Sequence, residues 1–353
     1  REQHREQRPH RLPGADVAAS LLAGAAEGAV DLRLTARDRA PRAISLGLNN
    51  QSSRGVGEAQ AFASVAWNNP TGRFDAATLL FSGTEGSQYL RADYGLPVGD
   101  AGTRVRVHVG TLAYKLVQAS FSALEAEGTA HTLGLSGSHP LRRRAGHSLT
   151  LSGGVELKRL TDDTAAGEGG RRHLSVATLG VAGERAVAGL GGDLSYGVGL
   201  TVGDVDQRNA AALAADQDPL GGRRTQGTLS KLSFTLGWRQ VLASQWLVGA
   251  SARGQWASGN LDSSEQFGLG GPGAVRAYPV GEASGDEGWL LSVDVSRRLG
   301  ERFVVGAFVD GGEVTLHHSP APALAASRNR YGLAGAGLAL DWRLHPTAAP
   351  RVQ

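Results

Sequence analysis

Few residue patterns in this sequence have the types and spacing to do chemistry. Gly268-Leu269-Gly270-Gly271-Pro272-Gly273 has the glycine spacing of a dinucleotide-binding loop. That chemistry needs a strand before the loop and a helix N-terminus after it to meet the pyrophosphate. Pro272 interrupts the run and Ala274–Pro279 lacks helical periodicity, so a sharply bending loop is the better reading and no nucleotide is expected. His317-His318 has no third ligand at metal-binding spacing. Asp162-Asp163 and Asp216–Asp218 read as solvated loop charges. There is no G-x-S-x-G elbow and no H-E-x-x-H, and the chain has no cysteine, which removes thiol catalysis, disulfide scaffolds and cysteine-bound metals. Neither enzymatic activity nor a cofactor is expected. What remains is a basic loop residue, Arg276, and a downstream carboxylate, Asp310, within Phe308-Val309-Asp310-Gly311-Gly312. A carboxylate held inside a protein needs water or a cation, and an arginine carried in on a long loop supplies one. Composition alone leaves Arg276 equally readable as one solvated arginine among many.

The elements that would position these residues are strands. In Asp193–Gly203, Leu194, Tyr196, Val198, Leu200 and Val202 take one face, while Ser195, Gly197, Gly199, Thr201 and Gly203 take the other. Successive strand side chains point to opposite faces, so this segment has one greasy and one polar side. Val105, Val107 and Val109 alternate with Arg104, Arg106 and His108, and Leu291, Val293 and Val295 with Ser292, Asp294 and Ser296. Turn signals between such runs place strands near 43–49, 58–68, 75–83, 88–95, 103–112, 128–138, 147–158, 172–182, 192–203, 225–238, 245–257, 288–299, 302–312 and 330–343. Several suit the ~9–11 residues with which a tilted strand crosses a bilayer. Short connections such as Asn69–Gly72, Leu96–Gly102 and Leu299–Glu301 alternate with long ones at Arg159–Arg171, Asp204–Arg224, Ser258–Glu287 and Glu313–Asn329. Outer-membrane barrels sort their connections in this way. A soluble sandwich would bury the same Leu and Val residues between two sheets, but it gives no reason for the sorting. Aromatic residues near strand ends (Trp67, Tyr94, Trp238, Trp256, Trp289, Trp342) also suit an interfacial girdle. Parity puts Phe308 and Asp310 opposite Val305, Ala307 and Val309. If those apolar residues meet lipid, Asp310 points into the lumen.

Composition narrows the classes further. Mean hydropathy is −0.19, and the longest soft apolar stretch, Val17–Ala26, contains Ser20 and is far shorter than the ~20 residues of a spanning helix. The 36 Lys and Arg against 33 Asp and Glu leave a net charge of +3, too dispersed to indicate a nucleic-acid partner. The chain lacks methionine and begins at Arg1, so a processed or excised piece is expected, and no signal peptide is visible. Arg1–Arg11 reads as a charged linker, Ala15–Ala26 as helix or loop, and Val30–Arg37 as a strand.

Taken in order, the motifs resemble those of the outer-membrane transporters of two-partner secretion, the ShlB/FhaC/HecB haemolysin-activator type within the outer-membrane assembly factor superfamily. The family's loop signature V-R-G-Y/F is met at Val275, Arg276 and Tyr278, with Ala277 in place of Gly. Its wall signature F-x-D-x-G is met at Phe308, Asp310 and Gly312. Weaker matches are Asn69-Pro70-Thr71-Gly72 with Asp75, Tyr94 with Pro97 and Gly99, Tyr114 with Leu116, and His139-Pro140-Leu141 with Arg143.

The resemblance implies an all-β fold, a transmembrane antiparallel β-barrel of sixteen strands, of which fourteen are visible and a last hairpin is expected to be missing. It implies a linker and the C-terminal end of a periplasmic POTRA-type domain over 1–40, and the barrel over 41–353. The function implied is a pore in the outer membrane of a Gram-negative bacterium that secretes a large partner exoprotein of haemolysin or adhesin type, unfolded in transit, with activation of that exoprotein as a further implied role. Outer-membrane lipid is the other expected partner. A barrel-assembly factor of the same superfamily and a passive porin are the alternatives. By resemblance, loop Ser258–Glu287 folds into the lumen and sets Arg276 against Asp310, with Arg104, Arg106, Arg253 and Arg343 also facing inward. The extra Cβ of Ala277 would strain the loop if its backbone needs φ > 0.

Overall fold

The computed structural model of the chain describes residues 10–343 apart from 13, 25, 27, 39, 166, 188–190, 243, 244 and 326. Residues 1–9 of the expected linker lie outside the described residues. Strands β1 (His10–Leu12), β2 (Ala15–Ala23) and β3 (Val30–Asp38) form a three-stranded antiparallel sheet. Over Ala15–Ala23 the Ala-rich stretch read as helix or loop is therefore a strand. Pairing with β3 along its whole length, from Ala15 opposite Asp38 to Ala23 opposite Val30, outweighs alanine's modest helix preference.

The rest of the chain builds one sheet of fourteen strands. Its first half is β4 (Arg42–Asn49), β5 (Gln60–Asn68), β6 (Ala76–Gly83), β7 (Ser87–Val98), β8 (Thr103–Lys115), β9 (Glu127–Arg144) and β10 (His147–Thr164). Then come β11 (Gly167–Ala186), β12 (Asp193–Gln207), β13 (Gly227–Val241) and β14 (Trp246–Ala257). A two-stranded hairpin, β15 (Phe267–Gly268) with β16 (Ser284–Gly285), interrupts the run within a long loop. The sheet resumes with β17 (Glu287–Leu299), β18 (Phe303–Thr315) and β19 (Arg330–Trp342). Each strand pairs antiparallel with its sequence neighbours, β14 with β17 across the loop, and β4 and β19 are the two edges. The fourteen strands are those that alternation and turn signals locate.

The two faces are sorted as the alternation requires. Leu200 is 47% exposed on the outer face, while its neighbour Thr201 is 8% exposed on the inner one. Val107, Leu135 and Val155 lie in one cross-strand row, all exposed and all outward. The inner face carries charge: Arg91 pairs with Asp93 at 2.8 Å and His108 with Glu156 at 2.9 Å. Among the described residues no helix is long and apolar enough to cross a membrane; the strands form the apolar surface.

One rim carries short turns, such as 99–102, 145–146 and 300–302, and the opposite rim carries the loops 116–126, 208–226, 258–286 and 316–329. The long loop read over Arg159–Arg171 is instead a continuing hairpin: β10 and β11 stay paired out to Thr164 opposite Gly167, with a bulge between Asp162 and Asp163. Polar side chains carry the ladder past the hydrocarbon because their charges are paired there, Arg172 with Asp162 at 2.6 Å. On the short-turn rim, Asn69 has φ 56° and its side chain accepts the Phe74 N–H at 2.7 Å. Buried Asp75 accepts the Tyr94 hydroxyl at 2.8 Å and the Thr71 N–H at 3.2 Å. Burial pushes the Asp75 carboxyl up, but these bonds outweigh it and hold the group below its ordinary value.

Leu200→Arg, at mid-strand on the outer face, is expected to destabilise the vesicle-inserted barrel by about 2–4 kcal/mol, read as a fall in the urea unfolding midpoint. A cost near zero would place Leu200 away from hydrocarbon.

Candidate functional site in the lumen loop

Loop 258–286 is a folded element held against the inner wall. At its far end Leu269 and Val275, both fully buried, join Phe267, Ala274 and Ala283 in an apolar cluster with Leu290 of β17, Val314 of β18 and Leu333 of β19. Tyr278 packs against this cluster. The tip closes through the Val275 N–H to Leu269 O at 2.9 Å and the Ala274 N–H to Gly271 O at 2.9 Å. Gly271 has φ 116°, and a Cβ there would come within 2.7 Å of Val280, so the bend requires glycine.

With Val275 buried, its neighbour Arg276 turns to the wall. Its Nε donates to Asp310 Oδ2 at 2.8 Å, its Nη2 to Oδ1 at 2.6 Å, and its backbone N–H to Oδ2 at 3.0 Å. This is a bidentate fork with an added amide, the strongest arrangement open to an Arg–carboxylate pair. Asp310 is 1% exposed. The guanidinium lies 3.7 Å over the Phe308 ring, so two of the three wall-signature residues, Phe308 and Asp310, touch it. Hydrogen bonding to Asp310 raises the Arg276 pKa above its ordinary value. Gly312 has a steric role, since a Cβ there would meet Leu269 Cδ1 at 2.6 Å.

The strain anticipated at Ala277 is absent. Among the described residues the non-glycines with positive φ are Asn69, Phe74, Glu125, Arg224 and Gln245, so Ala277 has an ordinary backbone. Its Cβ packs against bare Gly335 of β19, where any side chain would collide with it.

A second anchor lies near the base of the loop, and sequence reading missed it. Glu265, 5% exposed, accepts Lys158 of β10 at 2.6 Å and Lys231 of β13 at 2.8 Å. Asp262 pairs with Arg172 of β11 at 2.7 Å. Arg172 also holds Asp162, which accepts the Tyr114 hydroxyl at 2.6 Å. Leu261 fills an apolar cluster with Leu160, Leu174, Val176, Val205 and Leu229 beneath these charges. Burial pushes the Glu265 carboxyl up, and attraction to Lys158 and Lys231 outweighs it, leaving the group below its ordinary 4.5. The available signal was inward parity of Lys158, Lys231 and Arg172 on neighbouring strands; the acids they meet come from a loop without periodicity.

Several charges read as solvated are also structural. Asp216 ends helix α1 (Ala210–Asp216) and accepts the Thr225 N–H and hydroxyl and the Gln226 N–H, at 2.7–3.0 Å. His318 donates its N–H to buried Asp286 at 3.0 Å, and its ring Nδ1 lies 3.0 Å from Glu287. Arg104 donates to Phe74 O and Arg253 to Gly268 O, at 3.2 and 3.3 Å, and Arg106 shares the inner-face register of Ser136. Arg343 lies just past β19, its N–H bonded to Arg302 O.

Residues 28–342 match the family of haemolysin secretion/activation proteins ShlB/FhaC/HecB. The chain belongs to this family. It is 26% identical over 292 residues to the heme/hemopexin transporter protein HuxB of Haemophilus influenzae (strain 86-028NP), covering 82% of this chain and 51% of HuxB. The chain thus spans about half the length of that relative. Its fold is similar to CdiB from Escherichia coli (TM-score 0.74, 22% identity, 93% of this chain and 61% of CdiB). It is also similar to BamA from Haemophilus ducreyi lacking POTRA domains 1–3 (TM-score 0.56, 14% identity, 92% of this chain and 69% of BamA). Membership of the ShlB/FhaC/HecB family and the barrel fold place the chain in the outer membrane of a Gram-negative bacterium.

Arg276→Ala is expected to leave the Asp310 carboxylate buried and uncompensated, loosening the tip by about 3–5 kcal/mol. Faster amide exchange over 268–280 measures this, and unchanged exchange would contradict it. The Glu265 anchor has a defined pH window. Its pKa is depressed in the fold, so its stabilisation is complete above the ordinary 4.5 and lost as pH falls through the lower folded value. Protection of residues 261–267, corrected for intrinsic exchange, is therefore expected to be constant from pH 7 to 5 and to collapse below about 4.5; protection that fell near pH 6 would contradict it.

Proposed function

We propose that this chain is the pore-forming part of a two-partner secretion transporter that passes a large exoprotein of haemolysin or adhesin type, unfolded, across the outer membrane. Membership of the haemolysin secretion/activation family supports the reading. The observation that carries it is a polar-lined barrel whose long loop is held inside by Arg276 and Asp310. An extended chain presents unpaired amides and side chains of every kind, and a wet, charged lumen solvates them without selecting a sequence. With no nucleotide motif, the driving force is folding of the cargo outside the cell. We assign residues 1–40 to a linker and the end of a periplasmic POTRA-type domain, and 41–353 to the barrel. The free strand pattern of β1–β3, with Val30, Leu32 and Leu34 exposed on β3, suits a sheet whose covering layer lies elsewhere.

In this reading Val275, Arg276, Ala277 and Tyr278 form the loop tip, and Phe308, Asp310 and Gly312 its seat on the wall. The ion pair holds the loop in its conducting arrangement, and Glu265 with Asp262 fixes the loop base. Two-point anchoring of a folded loop speaks for a controlled conduit over a passive porin, and BamA's likeness carries the fold alone.

Arg276→Ala and Asp310→Asn in the full-length protein, expressed with its partner, are expected to abolish or strongly reduce exoprotein release while insertion into the outer membrane stays normal. Normal release by a normally inserted variant would remove the proposal. Release unaffected alongside impaired insertion of other barrels would favour the assembly-factor reading.

A further inference from the structure

The outer face of the barrel carries a cationic cluster that the secretion reading does not use. On β9, β10 and β11, at the short-turn rim, Arg142, Arg144, His147 and Arg185 share one face. Register decides the face: Arg142 stands opposite Leu149, Arg144 opposite His147, and His147 opposite Arg185. His147 and Leu149 have the parity of Val155 and Leu157, which are exposed on the lipid side. Arg142 Nη1 lies 3.5 Å from His147 Nδ1, and the Tyr196 hydroxyl lies 3.4 Å from His147 Nε2. All three arginines are exposed, and among the described residues no carboxylate pairs with any of them. Glu184 and Asp193, the nearest acids in sequence, have the opposite parity and face the lumen.

The depth of this cluster is fixed by the register. Arg185, Leu194 and Trp238 lie in one cross-strand row on the outer face, so the guanidinium sits at the level of an interfacial tryptophan. The same rim repeats the combination at Arg42 over Trp67 and Arg297 over Trp246, at 4.9 and 5.4 Å. Arginines without carboxylate partners, gathered on one face within two neighbouring rows, repel one another unless an anion lies between them. Long loops mark the extracellular rim, so this rim meets the periplasmic leaflet, whose lipids are phospholipids.

We infer that Arg142, Arg144, His147 and Arg185 bind the headgroup of an anionic phospholipid of the periplasmic leaflet. The phosphodiester lies among the guanidinium groups, and the acyl chains lie along Leu149 and Leu151. Arginine forks suit a phosphate as they suit a carboxylate. The test uses the protein refolded in detergent and mixed with phosphatidylglycerol or phosphatidylcholine, with retained lipid counted by native mass spectrometry. Phosphatidylglycerol is expected to be retained in preference, and Arg142→Gln and Arg185→Gln are each expected to weaken retention about fivefold. Arg298→Gln removes a charge from the same rim but on the lumen side, and is expected to leave retention unchanged. Gel-mobility shift on heating verifies that each variant is folded, and Arg185→Lys supplies a milder substitution should the glutamine variant not refold. Equal retention of the two lipids, or equal losses in Arg298→Gln and Arg185→Gln, would overturn the assignment.

Discussion

A strand that crosses hydrocarbon has no water to satisfy its amides, so each must bond to a neighbouring strand, and the side chains between them must divide into two populations. In this chain that division runs through the fourteen-stranded sheet. The outward population is Leu, Val and Trp, and the inward one is Ser, Gly, Thr and charge, with Leu and Val inward where the loop covers them. A lumen built this way is wet at its centre, yet the loop that enters it excludes water locally. Asp310 and Glu265 become buried there, and each persists as an anion because a cation reaches it, in one case from the loop and in the other from the wall.

The two anchors differ in direction and in chemistry. At the tip, the loop supplies the guanidinium and the wall the carboxylate, with Phe308 beneath the cation and Val275 driven into the apolar cluster behind it. Near the base, the loop supplies the carboxylates Asp262 and Glu265, and three strands supply Arg172, Lys158 and Lys231. A loop fastened through opposite charge patterns at its two ends has one register in the lumen, because sliding it brings like charges together. Charge thus fixes the position of the loop, while Leu261 and Leu269 supply its apolar burial.

Alternation made the strands and their faces legible, because period two survives in any sheet with one apolar side. Arg276 and Asp310 were legible through motif order combined with parity: Val309 outward requires Asp310 inward, whatever lies in between. The base anchor was not legible, since Asp262 and Glu265 sit in an aperiodic segment whose path depends on tertiary packing. Ala15–Ala23 was misread because an alanine run carries no period of its own and takes the conformation its neighbour offers. The β10–β11 hairpin runs past the ends that turn signals give it, because the segment between 159 and 171 loses its large apolar residues after Leu160 without losing its ladder. Polarity ends the hydrocarbon, while the ladder continues through Asp162 and Arg172. Asp216 reads as solvated because three of its four donors, from Thr225 and Gln226, lie nine and ten residues away, and only Gln217 is adjacent.

The absence of native cysteine allows the sidedness of the wall to be measured without background. A fluorophore attached at Val155→Cys, and separately at Ser152→Cys, in the vesicle-reconstituted protein would report each face through quenching by brominated lipid and by aqueous iodide. The label at 155 is expected to be quenched by brominated lipid and shielded from iodide, and the label at 152 to show the reverse. Absence of lipid quenching at position 155, whether the label there is buried or reached by iodide, together with lipid quenching at position 152, would contradict the account of the barrel and with it that of the loop inside it.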